Sequence, residues 1–227
     1  MNKIFIPANK PEDWKLLLAE PDKHWKTGYS AKALAYCWQE ANGFPECVRN
    51  VFLKSEIELF QKIELLLAFP EYRVPLPGGS HPSQNDIFIL AKGNCQLVSI
   101  MIEGKVSEPF GETIAEWMKN CSEGKQKRLK FLLNKLQLKN NQIDAIRYQL
   151  LHRAASSIIE AERFKAENAL ILVHSFSQDN EGFDDYCQFL DLFDLRGEID
   201  SLAFAKSIHG IDLYFGWVKG EEKYLDK

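Results

Sequence analysis

No Cys-x-x-Cys pair occurs in this chain. Its five cysteines (Cys37, Cys47, Cys95, Cys121 and Cys187) are widely spaced and odd in number. That pattern excludes a zinc ribbon and a disulfide framework, and it predicts reduced, packed thiols in a cytoplasmic protein. A Gly-x-Ser-x-Gly elbow is also missing, so the commonest serine-hydrolase signature is excluded. No Cys-His pairing is argued by spacing. No apolar run approaches the length of a membrane span. The first residues hold too few apolar side chains for a signal peptide. Repeats and low-complexity tracts are lacking as well. A strong charge of either sign is missing too, and a net charge of -4 does not favour avid, non-specific binding to nucleic acid.

What remains is an ordinary globular composition, 45% hydrophobic and 26% charged over 227 residues. This length suits a single domain of good size, or a core domain with one appendage. The charge is unevenly spread. Lys119, Lys125, Lys127, Arg128, Lys130, Lys135 and Lys139 face only Glu123 in one segment, and residues 179–200 are strongly acidic. Such a polarised surface suits phosphate contact, and equally a solvated helical face.

Residues 85–105 are the most informative stretch. An apolar run opened by Asp86 is followed by a turn at residues 92–94. A second apolar run then ends in Glu103-Gly104-Lys105. Side chains alternate across a strand, so Glu103 and Lys105 share a face and Gly104 points away. An antiparallel hairpin about that turn brings Asp86 opposite residues 101–103. Average usage predicts about one acid-x-Lys tripeptide in a chain of this size. The chain holds four, at Asp13, Glu103, Glu123 and Glu221. Only the copy at Glu103 ends a hydrophobic strand behind a second, acid-opened strand. A sheet whose polar strand ends are merely solvated is the plain alternative.

This constellation resembles the active site of the PD-(D/E)xK, or restriction-endonuclease-like, nuclease superfamily, over a core of about residues 30–177. The resemblance implies that Asp86 and Glu103 bind a divalent metal, magnesium or manganese, and that Lys105 serves the attacking water or the developing charge. The residue before Asp86 is Asn85, with the nearest proline at Pro82, where the family signature is loose. The family often adds a glutamate from a helix before the sheet, for which Glu40 is the first candidate and Glu58 the second. It often adds polar residues from the helix after the lysine strand, here Gln149 and Arg153. Glu112 and Glu116 share a helical face that also reaches toward the site or toward solvent. Lys125, Lys127, Arg128 and Lys130 are the nucleic-acid-binding candidates, and His81 lies on the Pro- and Gly-rich loop before Asp86.

The implied function is metal-dependent hydrolysis of phosphodiester bonds, with DNA ahead of RNA as substrate. The alternative is an inactive member of the same fold that binds nucleic acid or protein. No membrane partner is expected, and a homodimer is left open.

The expected fold is α/β: a mixed sheet with helices on both faces, in one domain. Residues 1–62 form an N-terminal helical part, 63–177 the core with the acid and lysine site, and 178–227 a C-terminal helix and closing strand. Helices are expected over residues 11–20, 31–41 with Ser30 as N-cap, from Pro45 to about Lys54, 125–135 and 142–167. Residues 169–176 read as a central strand covered on both faces. Residues 63–69 are left between helix and strand.

Overall fold

The computed structural model describes residues 8–139 and 142–227. Before the sheet come a 3₁₀ turn (Pro11–Leu17) and four helices: α1 (Pro21–His24), α2 (Ser30–Ala41), α3 (Glu46–Lys54) and α4 (Glu58–Gln61). Strands β1 (Glu64–Val74), β2 (Ser83–Gly93) and β3 (Gln96–Lys105) follow, then α5 (Ile114–Trp117), α6 (Glu123–Lys135) and α7 (Tyr148–Phe164). The chain closes through β4 (Asn168–Ser175), α8 (Phe183–Asp191), β5 (Ser201–Ile208) and β6 (Ile211–Lys219).

These strands form one six-stranded sheet in the order β1-β2-β3-β4-β6-β5. The three pairings β1–β2, β2–β3 and β5–β6 are antiparallel, while β4 runs parallel to both β3 and β6. The fold is therefore α/β with a mixed sheet. Period-two alternation sends side chains to two separate cores. Phe88, Met101, Ile171, Val173 and Phe215 pack with α6, α7 and α8. Ile87, Ile89, Ile100, Ile102 and Leu172 pack with α2, α3 and α4. All eight residues of β4 are buried, as a strand covered on both faces must be.

Several boundaries differ from the sequence expectation. Of residues 63–69, all but Ile63 belong to β1, an edge strand that tolerates Pro70 because one side of its ladder is unpaired. The β2–β3 turn sits at Asn94-Cys95, not at residues 92–94, and both residues have positive φ (46° and 65°). Such a pair matches the twist of two-residue hairpins. The helix expected over 142–167 is shorter, Tyr148–Phe164. Arg147 is extended and bridges Thr113, which fixes the helix start there although Ile143 and Ile146 are buried at helical spacing. Tyr29 holds the N-cap position of α2, and the Ser30 hydroxyl donates instead to Glu108. Strand β6 is interior: the edge beyond it is β5, absent from the expected elements.

Candidate active site

The C-terminal end of β3 meets the start of α7 at a cavity of about 440 Å³. Register builds it. Ile87 pairs with Ile102, so one step further Asp86 lies across from Glu103. On the other side, Pro70 pairs with Ile87 and Tyr72 with Asn85, which carries Glu71 alongside Asp86. Glu103 shares the face of Met101, which is the face α7 covers. One helical turn separates Gln149 and Arg153, so both reach it from α7.

Glu103 is the hub and is 2% exposed. Its Oε1 accepts from Lys105 Nζ at 2.8 Å and from Gln149 Nε2 at 2.7 Å, and its Oε2 accepts from Arg153 Nε at 2.5 Å. Gln149 Oε1 in turn accepts from Lys105 Nζ at 3.1 Å. The Lys105 ammonium also sits 4.7 Å from the centroid of the Phe110 ring, a cation–π contact. Asp86 is the open member, with its side chain 22% exposed. Its Oδ2 accepts from the Gly104 amide at 2.7 Å, and its Oδ1 lies 3.7 Å from Arg153 Nη2. The glycine between Glu103 and Lys105 eases this approach. An added Cβ would stand 3.2 Å from Leu34 Cδ2 and 3.3 Å from Asp86 Oδ2.

Three carboxyl groups share this cluster with cations: Glu71, Asp86 and Glu103 face Arg153, Asp86 and Glu103 also face Lys105, and Arg73 acts on Glu71. Burial works to raise Glu103, but Arg153 and Lys105 outweigh it, and its pKa ends below the usual carboxylate range. Asp86 goes the other way: burial, and then the Glu103 charge, push it well above that range. Burial pushes Glu71 up to about 7, against a favourable hydrogen bond from Gln84. His152, half-buried and held to the Ser83 hydroxyl at 2.8 Å, is driven well below its ordinary value by loss of solvation and then by Arg153, which favours the neutral ring.

The three residues expected to form the centre therefore come together, with Gln149 and Arg153 beside them. Glu112 lines the cavity, whereas Glu116 caps α5 by pairing with Thr113. Glu40 does not join them. It lies ten residues beyond Ser30 on α2, about 15 Å along the axis, and lines a different cavity with Cys37 and Glu221. Ser30 and Ala31, at the near end of α2, are the ones that reach the site. Glu58 is exposed on α4 and contributes nothing to the cavity.

The basic segment divides. Arg128 is buried and spends its guanidinium on the carbonyls of Pro77 and Leu76. Lys125 donates to the Trp117 carbonyl and lies over the Trp117 ring. Both line a second cavity, with His81, Tyr148 and His152, and the latter two also line the first. Lys127 and Lys130 are exposed. Glu71 was not foreseen, because an acid on an edge strand carries no signal of its own. Only the β1–β2 register, with Glu71 at a positive φ of 52°, turns it inward.

Among the described residues no group of three or more His, Cys, Asp and Glu side chains is arranged to hold a metal ion. The donor chemistry nonetheless suits a hard divalent cation. The donors are carboxyl oxygens, and Asp86 keeps one oxygen free of short hydrogen bonds.

A family model described as a domain of unknown function (DUF6946) matches residues 7–222, and the chain belongs to that family. No curated protein and no solved structure matches it. Among the described residues no helix is long and apolar enough to cross a membrane.

Proposed function

We propose that this member of the DUF6946 family hydrolyses phosphodiester bonds in nucleic acid, DNA before RNA, at a restriction-endonuclease-like site that uses magnesium or manganese. One observation carries the reading: Asp86, Glu103 and Lys105 converge at the mouth of one cavity, with Gln149 and Arg153 behind them. Asp86 and Glu103 would hold the cation, with Glu71 close by. When bound, the ion would neutralise the scissile phosphate and make water more acidic.

The chain's own groups supply the rest. Lys105 is fixed from two sides by Glu103 and Gln149, so its ammonium offers positive charge at a set point as charge grows on the phosphoryl oxygens. Arg153 keeps Glu103 ionised while the carboxylate is out of water. His152 and Tyr148 wall the cavity toward the second one, where Lys125 and Arg128 set a positive potential. DNA is preferred over RNA only as the first substrate to try, since no group here is committed to a 2'-hydroxyl.

A second reading has an observation of its own. Glu103 is fully engaged by Lys105, Gln149 and Arg153, as a purely structural ion cluster would be. The protein would then be a binding module for nucleic acid or protein on the same fold. Cleavage assays separate the two. Single-stranded DNA, double-stranded DNA and RNA are each incubated with wild type, Asp86→Ala and Lys105→Ala, with magnesium, manganese or chelator. Metal-dependent cutting lost in both variants supports the nuclease. Cutting that survives in either variant places the chemistry elsewhere and removes these residues from it.

A further inference from the structure

The second cavity, of about 340 Å³, lies beside the first and shares Tyr148 and His152 with it as a common wall. That volume is at the small end of ligand sites. The two cavities differ in charge. Glu71, Asp86 and Glu103 line the first, whereas no Asp or Glu lines the second. Its cations are Lys125 and Arg128, both from α6, with His81 on the loop before β2.

Arg128 is 8% exposed. Its Nε donates to the Pro77 carbonyl at 2.9 Å and its Nη2 to the Leu76 carbonyl at 3.4 Å. The Lys125 ammonium donates to the Trp117 carbonyl and lies 5.3 Å from the centroid of the Trp117 ring. These contacts orient both cations without neutralising either. Among the described residues neither one forms an ion pair. A buried guanidinium is normally paired with a carboxylate, because an unpaired charge out of water is costly. Here two uncompensated cations line one cavity free of acids, the setting that an anionic, acceptor-rich ligand completes.

The rest of the wall is held in place. Trp117 of α5 and Tyr148 of α7 stack with ring centroids 4.1 Å apart and planes 9° apart, which fixes the side of the cavity next to Lys125. Gly78, at a positive φ of 82°, lets its loop touch α6, since an added Cβ there would collide with the Gly124 carbonyl. The same loop lays the Leu76 and Pro77 carbonyls against Arg128, one turn further along α6. His152 brings no charge of its own: loss of solvation, then Arg153 and Arg128, hold its pKa well below the ordinary value.

We propose that this second cavity is a phosphate subsite, which takes the phosphate next to the scissile one in the same nucleic-acid strand and holds it with Lys125 and Arg128. The inference rests on the nuclease reading for the identity of the strand, and on the two uncompensated cations for the phosphate. One phosphate of the strand then lies at the carboxylate cluster and its neighbour beyond the wall of Tyr148 and His152. The subsite makes a second phosphate beside the cut bond a determinant of substrate choice.

The test compares three thymidine dinucleotides, TpT, pTpT and TpTp, which share one internal phosphodiester and differ in a terminal phosphate. Each is given to wild type, Lys125→Gln and Arg128→Gln, with manganese for cleavage and with chelator for binding by calorimetry. In wild type one of the two phosphorylated forms, set by strand polarity in the site, should bind about ten- to hundredfold more tightly than TpT. Its kcat/KM should exceed that of TpT by a similar factor. Lys125→Gln should cut the binding advantage by about tenfold, and it decides the matter even if the buried Arg128→Gln fails to fold. Inorganic phosphate should bind less tightly than the favoured dinucleotide, and equal affinity would overturn the assignment to a strand phosphate. Binding of pTpT and TpTp no tighter than that of TpT would overturn the subsite, whether or not any bond is cut. Cleavage with no gain from either terminal phosphate would thus sink the subsite and spare the nuclease reading. A gain in binding that Lys125→Gln removes, with no cleavage, would uphold the subsite and place the failure with the catalytic assignment.

Discussion

Glu103 is a buried carboxylate whose ionisation depends on two cations, and the energetics of the site follow from that. Removing one partner leaves an under-compensated charge on a carboxylate that is only 2% exposed. Arg153→Met should therefore destabilise the chain by about 3–5 kcal/mol, read as a lower urea midpoint. A change of under about 1 kcal/mol would mean that the pair is not buried as described. Glu71 gives a pH signature. Its pKa is raised from 4.5 to about 7, so the native chain holds this proton more tightly than the unfolded one. Its contribution to stability therefore falls as pH rises through that window and levels off above it. Glu71→Gln should shrink the drop in urea midpoint between about pH 5 and about pH 8, and an unchanged drop would contradict the assignment. Asp86, Glu103 and Lys105 were legible in the sequence because strand periodicity and one turn suffice to bring them together. Glu71 was not, since its inward placement needs a strand pairing and a left-handed residue that no local pattern announces.

Elements show the same division between local and long-range information. The β2–β3 hairpin follows from two alternating runs and a turn, and only the turn position shifts by a residue. Asn94 and Cys95 both hold positive φ in an exposed loop. Cys95→Gly should relieve about 1–2 kcal/mol of left-handed strain, measurable as a higher melting temperature. A lower one would mean that the cysteine side chain holds the turn. Gly104 is the reverse case, pressed between Leu34 of α2 and the Asp86 carboxylate. Gly104→Ala should cost about 1–3 kcal/mol and depress any activity, because β3 must move away from α2. An alanine accepted without loss would show that the α2–β3 contact yields. Strand β5 escaped the sequence reading because its burial is half-polar and irregular, with a register shift between Phe204 and Lys206. Helix α7 was read too long because buried Ile146 extends its stripe, although the Ile146 carbonyl accepts from the Ile114 amide and Arg147 bridges Thr113.

At the scale of the molecule, a mixed sheet with a core on each face was legible, since amphipathic helices and a fully apolar strand leave few other layers. What the sequence did not show is that the two faces carry different chemistry. The α7 face holds the carboxylate cluster, and the α2–α3 face holds Trp38, His174 and Cys47, contributed by three elements with no shared spacing. The outer surface of the basic segment is also less charged than its composition suggests, since Arg128 and Lys125 are bonded to carbonyls and line the second cavity. If nucleic acid binds over the outside of α6, Lys127 and Lys130 carry the free charge. Replacing both with glutamine should lower DNA affinity and reduce the salt dependence by about two phosphate contacts, and an unchanged slope would move the interface elsewhere. The most direct test of the cation site is calorimetric titration of the wild-type protein and Asp86→Asn with manganese at neutral pH. The account predicts one ion per wild-type chain, bound with release of protons from the carboxylates that burial keeps protonated, and no binding in the variant. A wild type that takes up no manganese, or a variant that binds it equally well, would contradict the account and leave Glu103, Lys105 and Arg153 as a structural ion cluster.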